Sequence, residues 1–460
     1  MFQLEAARGR PSSPVESLRA RVARVFSSVM GLVGTKRALA VFVACFVTHV
    51  WIQGSSAVVS VDPDISRNVS QIIVDKGYPV EEYEVETSDG FVLSVQRLPS
   101  GRKDPPKKAP HGRDKKTVFL LHYLLGSSAD WVMNYPDQSL PYILADAGYD
   151  VWLGNVRGNT YSRHVRYRRD QKEFWDFCFD EMISYDLPAM LDFVLNKTGQ
   201  EKLFFVGTSQ GAMILFGLLA DKPEYNEKIE LFTAMGPVTT VTHMRSPIRY
   251  LAPFVENAGA VFALFGEYDF LPSNALMKLI AGTLCSFEES RGLCENVMFF
   301  ICGPEGPQLN KTRLPVLVSH TPAGTSVRNM AHYAQLVLSE RFQKFDFGTT
   351  RNQVLYGQDT PPEYNLSRVS APVALYWSRS DWLADPQDVS QLRNRLPRLV
   401  LDFQVQEPSF THLDFTVGVG ARRLVYEPVM KAMASVRTLV HHFYRAPRDS
   451  CSLCSSGSTA

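Results

Sequence analysis

Short runs of hydrophobic residues alternate along the chain with segments whose apolar positions recur at helical spacing. The runs typical of buried strands are residues 118–122, 149–153, 203–206, 231–235, 372–377 and 399–405. Residues 186–195 and 212–220 lie between such runs and have the spacing of helices. Buried strands separated by helices predict an α/β protein with a mostly parallel sheet and helices on both faces.

A hairpin is predicted ahead of this region. Residues 83–85 and 91–95 alternate between apolar and polar side chains, and Ser88-Asp89-Gly90 between them is typical of a turn. We therefore expect an antiparallel pair of strands at the start of the sheet.

The alternation is interrupted between residues 238 and 370. Helical apolar patterns occur there, for example at residues 262–265 and 297–301, without obvious buried strands. These helices could simply enlarge the core. Their position between two strands of the sheet favours instead an inserted, mainly helical cap over the edge where such sheets bind ligands.

The N-terminal region has the features of a targeting signal. Lys36-Arg37 precede an apolar run at residues 38–52, and small residues follow at Ser55 and Ala57. This order is typical of a cleaved secretory signal, and the run is short for a bilayer span. A retained signal-anchor is the alternative. Met30 would give a signal of ordinary length, so we expect translation to start there or the long extension to precede a signal-anchor.

These patterns divide the chain into five parts. We expect residues 1–57 to be extension and signal, residues 58–237 and 371–445 to form the core, residues 238–370 to form the cap, and residues 446–460 to be a polar tail.

Composition excludes several classes of protein. The 460 residues are 45% hydrophobic and 21% charged, which does not fit a disordered chain, a collagen-like fibre or a multi-span membrane protein. With 48 Lys and Arg against 47 Asp and Glu, the net charge is +1. We therefore expect no nucleic-acid partner. No Cys/His spacing resembles a zinc site, and we expect no metal or cofactor.

Export would expose the chain to oxidation and glycosylation. Three cysteines cluster in the insertion, namely Cys285, Cys294 and Cys302. Asn-x-Ser/Thr sequons make four asparagines candidates for glycosylation: Asn68, Asn196, Asn310 and Asn365.

A candidate nucleophile lies between a predicted strand and a predicted helix. Gly207-Thr208-Ser209-Gln210-Gly211 has the G-x-S-x-G pattern, which in this context predicts a sharp turn that lifts the serine hydroxyl above the sheet edge. The turn also aims the N–H of Gln210 at developing negative charge. A second oxyanion donor is expected in the loop after His122, at Leu124.

A serine hydroxyl requires a base, and the base requires an orienting acid. Chain order and a position after the last predicted strand favour His412 as the base. Asp381 comes soonest after the strand at residues 372–377 and is the preferred acid. Asp385, which precedes Pro386 and resembles a helix N-cap, remains the alternative. Asp388 is a further candidate and is expected in the first turn of that helix.

Several segments resemble the acid lipase family of α/β-hydrolases. They occur in the family's order from about residue 62 to 440 and are residues 64–70, 77–83, 152–159, 185–188, 320–326 and 381–386. The segment at 152–159 contains the G-N-x-R-G-N motif. The resemblance implies the α/β-hydrolase fold and a triad of Ser209, Asp381 and His412. It also implies a Cys285–Cys294 disulfide with Cys302 reduced.

Two positions depart from the family pattern. Thr208 replaces the usual His before the nucleophile, and Tyr123 replaces the usual Gly after His122. Because glycine permits backbone angles that tyrosine does not adopt freely, Tyr123 brings the rate and the substrate preference into question.

The expected function is a secreted or lysosomal lipase that hydrolyses neutral lipid esters, either triacylglycerols or cholesteryl esters, at a droplet or membrane surface. A lipid carrier that lost catalysis and an esterase of small soluble esters are the alternatives.

Overall fold

The computed structural model describes residues 61–103, 115–250, 252, 268–271, 285, 294, 301–303 and 306–445. The predicted signal and polar tail, the helical pattern at 262–265 and nearly all of that at 297–301 lie outside the described residues.

The strands occur in two groups, before and after the insertion. They are β1 (Glu81–Glu86), β2 (Phe91–Leu98), β3 (Thr117–Leu121), β4 (Asp150–Gly154), β5 (Ser162–His164), β6 (Leu203–Thr208), β7 (Ile229–Met235), β8 (Asp269–Phe270), β9 (Thr325–Ser326), β10 (Val373–Trp377) and β11 (Leu399–Gln404).

One large sheet organises the described residues. Its strand order is β1-β2-β4-β3-β6-β7-β10-β11, with β5 paired to β2. The β1–β2 hairpin and the β2–β4 and β2–β5 pairs are antiparallel, whereas every pair from β4 to β11 is parallel. The predicted hairpin and mostly parallel sheet are therefore confirmed.

The central strands are apolar throughout because both faces of the sheet are covered. In β3, Phe119 and Leu121 enter one core cluster, and Val118 and Leu120 enter another. Alternate residues of a strand point to opposite faces, so a doubly covered strand needs a continuous apolar run. Edge strand β1 instead exposes glutamates, which oppose edge-to-edge pairing.

The helices connect the strands and form the insertion. They are α1 (Val69–Asp75), α2 (Leu140–Asp146), α3 (Phe179–Glu181), α4 (Leu187–Thr198), α5 (Gln210–Asp221), α6 (Leu314–His320), α7 (Val327–Ser339), α8 (Thr349–Tyr356), α9 (Pro386–Arg395), α10 (Asp414–Val417), α11 (Glu427–Ala434) and α12 (Val436–Arg445). In the part of the chain that the structure describes, none of them is long and apolar enough to cross a membrane.

Both helices predicted before the insertion are present. Helix α4 continues a π-helical turn at Met182–Asp186 and ends where Gly199 adopts a φ of 67°. A left-handed residue at this position is a common way to end a helix, and glycine adopts it without a Cβ penalty. Helix α5 is buried from Gln210 to Ala220, as its nearly continuous apolar sequence requires.

The insertion leaves and re-enters the sheet at neighbouring strands. β7 pairs directly with β10, although residues 236–372 separate them in the sequence. The described part of this segment contains α6, α7 and α8 and the two-stranded β8–β9 sheet.

A buried ion-pair cluster ties the loop after β4 to the hairpin turn and to α4. Arg157, with a side chain 1% exposed, donates to Asp186 at 2.8 Å and to Asp89 at 2.7 Å. Its guanidinium also lies 4.3 Å from the ring centroid of Phe91. Asp186 is fully buried, so its charge depends on this arginine.

We expect Arg157→Met to lower the free energy of unfolding by about 3–5 kcal/mol, because it leaves the Asp186 carboxylate buried and unpaired. Denaturant unfolding measures the change. Arg163→Met is the matched control, since the Arg163–Glu84 pair is exposed and should cost less than about 1 kcal/mol. Equal losses for the two variants would contradict this account of the cluster.

Candidate active site

Ser209 occupies a strained turn between β6 and α5. Its backbone angles are φ 54° and ψ −116°, a region that residues with a Cβ rarely adopt. The flanking glycines are required by close approach. A Cβ on Gly207 would lie 2.6 Å from the nitrogen of Ala212, and one on Gly211 would collide with the carbonyl oxygen of Leu121. The predicted strand-turn-helix context of Ser209 is therefore present.

His412 and Asp381 form a buried pair in the loops after β11 and β10. The Nδ1 atom of His412 lies 2.7 Å from Oδ2 of Asp381. Oδ1 of Asp381 accepts the backbone N–H groups of Leu383 at 2.9 Å and Ala384 at 2.8 Å. His412 is 3% exposed and Asp381 is fully buried. These contacts fix the carboxylate and direct Nδ1–H of the imidazole toward it.

Residues at the end of β7 connect this pair to Ser209. The N–H of Ser209 donates to the carbonyl oxygen of Met235 at 3.0 Å. At the next residue, Gly236, a Cβ would lie 3.2 Å from Nδ1 of His412 and 3.3 Å from Oδ2 of Asp381. The serine, the histidine and the aspartate therefore meet at one edge of the sheet.

The second ring nitrogen of His412 remains available for proton transfer. Nε2 is buried and has no hydrogen-bond partner among the described residues. Since Nδ1 faces a carboxylate, the neutral ring carries its proton there and presents a lone pair at Nε2. A serine nucleophile requires a base, and an unpartnered ring nitrogen of this kind can serve as one.

The alternative acids have structural contacts elsewhere. Asp385 accepts the N–H of Gln387 at 2.9 Å, which confirms it as the N-cap of α9, and pairs with Arg245 at 2.8 Å. Asp388 lies 2.8 Å from Nδ1 of His243.

The two predicted oxyanion residues lie on neighbouring segments. The N–H of Gln210 is in the first turn of α5. Leu124 is in the loop after β3, where Leu125 has a φ of 62° and its carbonyl accepts the N–H of Ala323 at 2.7 Å. The close approach of Gly211 to the end of β3 brings this loop and the start of α5 together.

The sequence suggests that Tyr123 strains the backbone of the loop after β3, but the structure shows no such strain at this residue. The left-handed residue is Leu125, and Tyr123 is not among the residues with positive φ. The Tyr123 side chain is buried beside Asp130, since both lie against the Cβ position of Gly126, and Asp130 accepts the Thr321 hydroxyl at 2.6 Å. Burial raises the pKa of Asp130 to about 7. Thr208, the other departure, is also buried.

A polar network that the sequence did not assign supports the same loop. Nδ1 of His122 donates to the carbonyl oxygen of Tyr123 at 2.8 Å, and its Nε2 lies 3.2 Å from the side-chain amide of Asn159. Asn159 also donates to Asn155 at 2.9 Å. Burial lowers the pKa of His122 to about 4, so it is neutral and structural. Asn155 and Asn159 belong to the G-N-x-R-G-N motif, but the motif alone does not indicate that they form this network.

The disulfide implied by the family resemblance is present in the insertion. Cys285 and Cys294 form a disulfide with Cα atoms 5.9 Å apart, and Cys302 is free.

Of the described residues, three could place ligand atoms around a metal ion. Donor atoms of Cys178, Asp180 and His332 lie within 4.8 Å of one another. Asp180 already accepts the Tyr364 hydroxyl at 2.6 Å and the N–H of Phe345 at 2.8 Å. This cluster belongs to the hydrogen-bonded core, and His332 is too far in the sequence from Cys178 and Asp180 for any spacing to reveal it.

The glycosylation candidates differ in exposure. Asn68, Asn196 and Asn365 are exposed. Asn310 is half-buried, and its side-chain amide nitrogen, to which a glycan would be attached, donates to Gln138 at 3.1 Å.

Comparisons with known proteins identify the fold and the family of the chain. Residues 116–418 match the model of the alpha/beta hydrolase fold family, and residues 69–135 match that of the partial alpha/beta-hydrolase lipase region. A solved structure from Sulfolobus solfataricus shares the fold, with a TM-score of 0.51 and 14% identity over 78% of this chain and 99% of its own.

Curated relatives are much more similar in sequence. The human lysosomal acid lipase/cholesteryl ester hydrolase is 43% identical over 81% of this chain and 92% of its own length. The human gastric triacylglycerol lipase has the same identity and coverage. Lipase lipl-1 of Caenorhabditis elegans is 42% identical over 80% of this chain and 92% of its own.

The fold and the similarity to these lipases together define an α/β-hydrolase that cleaves carboxylic esters. Within that class, the chain belongs to the acid lipase family. It is a lipase.

Gly236→Ala should lower kcat for a chromogenic ester by about 10²-fold, because the new methyl group displaces His412 and small displacements of catalytic groups are costly. Gly348→Ala is the matched control. Gly348 also has a positive φ, 84°, but nothing lies within 4 Å of its Cβ position. Near wild-type kcat for Gly236→Ala, or an equal loss for both variants, would contradict the proposed packing against His412.

Proposed function

We propose that the lipase acts through a triad of Ser209, His412 and Asp381. The main support is the buried His412–Asp381 pair, whose Nε2 is unpartnered among the described residues, at the same sheet edge as the strained Ser209. This combination has a clear catalytic use, whereas a purely structural histidine would be expected to satisfy both ring nitrogens.

The proposed reaction begins when Nε2 of His412 removes the hydroxyl proton of Ser209 as its oxygen attacks the ester carbonyl. The carbonyl oxygen becomes an anion, which the N–H groups of Leu124 and Gln210 stabilise. His412 then gives the proton to the departing alcohol, and an acyl-enzyme remains. Water, activated by the same histidine, releases the fatty acid, while Asp381 orients the ring and stabilises its charged form.

We propose triacylglycerols, cholesteryl esters or both as the substrates. The human relatives are named for these two classes of ester. The insertion supports a lipid surface as a transient partner, because Leu338, Val354 and Leu355 on its helices are large, apolar and exposed. Such side chains can contact a droplet or membrane while the site receives a single ester molecule.

We also propose that the protein matures in the secretory pathway and acts in the lysosome or outside the cell. The N-terminal apolar segment and the insertion's disulfide support this location, since disulfides persist in oxidising compartments.

The lipid-carrier alternative depended on Tyr123 distorting the oxyanion loop, and Tyr123 does not take positive φ.

Ser209→Ala should abolish hydrolysis of emulsified trioleoylglycerol and cholesteryl oleate without changing the thermal unfolding temperature, because no other group supplies the nucleophile. Purified protein should be assayed on both lipids and on a short-chain soluble ester. Wild-type activity confined to the soluble ester would overturn the substrate class. Residual hydrolysis near wild type in the variant would overturn the nucleophile.

Asp381→Asn should lower kcat by about 10⁴-fold, because an amide cannot hold His412 in the tautomer that exposes a basic Nε2. Asp385→Asn is the control. It should leave kcat nearly unchanged and lower stability only slightly, since asparagine can still cap α9 and only the ion pair with Arg245 is lost. Steady-state kinetics and thermal unfolding separate the two effects, and a larger kcat loss at Asp385 would reverse the assignment.

A further inference from the structure

The Gln210 side chain is hydrogen-bonded to the insertion. Its Oε1 accepts the amide of Asn329 at 3.0 Å and the hydroxyl of Tyr333 at 3.2 Å. Both partners are on α7, whereas Gln210 is on α5 of the core. Gln210 is 1% exposed and Asn329 is fully buried, so water does not readily replace these bonds. A carbonyl oxygen has two acceptor sites, and both are occupied.

Asn329 is itself rigidly placed. Its side-chain amide also donates to the hydroxyl of Thr325 at 3.0 Å, and its backbone N–H donates to the hydroxyl of Ser326 at 2.9 Å. Thr325 and Ser326 form β9, which pairs with β8. The hydroxyl of Ser326 also donates to the carbonyl of Phe177, which anchors the start of α7 to the core.

The same part of the insertion also contacts the loop that contains Leu124, the other proposed oxyanion residue. The N–H of Ala323 donates to the carbonyl of Leu125 at 2.7 Å, one residue after Leu124. Residues 323–333 therefore hold the loop of Leu124 through a backbone bond and Gln210 through side-chain bonds.

These contacts restrict the direction of a catalytic donor. Gln210 directly follows Ser209, whose backbone is strained, and its N–H must point at the oxygen of the transition state. Fixing the Gln210 side chain at its far end limits the rotation of the peptide that carries this N–H. Donors that are already oriented need no reorganisation during the reaction.

We propose, on the basis of the triad mechanism above, that Asn329 and Tyr333 are positioning residues that hold Gln210 for transition-state stabilisation. Through them the insertion is part of the catalytic apparatus in addition to any role as a cap. Any movement of α7 would then change the rate of acyl transfer as well as access to the site.

Tyr333→Phe tests the proposal with little disturbance, because it removes one hydroxyl and keeps the ring that packs near Phe179. Gln210→Met removes the acceptor but keeps the backbone N–H. Tyr356→Phe is the matched control, since it removes a hydroxyl of the same insertion that donates to the carbonyl of Phe345 at 2.9 Å. The three single variants, the Tyr333→Phe/Gln210→Met double variant and Ser209→Ala should be assayed on a soluble ester.

We expect Tyr333→Phe and Gln210→Met each to lower kcat by about tenfold with KM nearly unchanged, less than the ~10²–10³-fold typical of losing an oxyanion donor. Reaction with a phosphonate inhibitor should slow in parallel. The double variant should be no slower than Gln210→Met alone, because Tyr333 acts through Gln210. Tyr356→Phe should keep wild-type kcat, and the melting temperatures of Tyr333→Phe and Tyr356→Phe should agree.

Additive losses in the double variant, an unchanged kcat in Tyr333→Phe, or a rise in KM alone would overturn the positioning role. Each of these outcomes leaves the triad standing, provided that Ser209→Ala is inactive. Activity in Ser209→Ala would instead overturn the triad itself.

Discussion

The backbone strain at Ser209 is the constraint on which the rest of the site depends. A non-glycine residue with φ 54° and ψ −116° is unfavourable, by an amount of order 1–3 kcal/mol, unless its surroundings hold it there. Here a hydrogen bond to Met235, the nearby glycines Gly207 and Gly211 and a buried helix do so. A turn of this kind lifts the nucleophile's hydroxyl above the sheet and directs the next N–H toward the same space.

The parallel sheet makes the remaining groups converge. β6, β7, β10 and β11 are neighbours in the sheet, and their carboxyl ends meet at one edge. Ser209, Gly236, Asp381 and His412 each follow one of these strands. Gly236 allows this convergence, because a side chain there would occupy the space of the His412–Asp381 pair. The triad that we propose is therefore a consequence of strand order.

Hydrogen bonds from two parts of the protein, the core and the insertion, hold the loops of the site in place. The network of His122, Asn155 and Asn159 holds the loop after β3 from the side of the core. Asn329, Tyr333 and the backbone of Ala323 hold the oxyanion residues from the insertion. The second half of the insertion therefore packs against the residues of the proposed catalytic site.

Local pattern was sufficient for the strands, the Ser209 turn and the pairing of Asp381 with His412, because continuous apolar runs and strand-end positions carry that information. It gave Asn329 and Tyr333 no role, since their contacts with Gln210 join residues more than a hundred positions apart. Tyr123 illustrates the same limit. The sequence placed backbone strain at this residue, but the strain is at Leu125, and the tyrosine ring is accommodated beside Asp130. Spacing cannot show which residue of a loop takes the unusual angle.

The most direct test is the structure of the enzyme after reaction with a long-chain p-nitrophenyl phosphonate, whose covalent adduct resembles the tetrahedral intermediate. The account predicts phosphorus bonded to Oγ of Ser209, with Nε2 of His412 facing the bound ester. It also predicts the phosphoryl oxygen about 2.7–3.1 Å from the amide nitrogens of Leu124 and Gln210. An adduct on another residue, or a phosphoryl oxygen away from both amides, would contradict it.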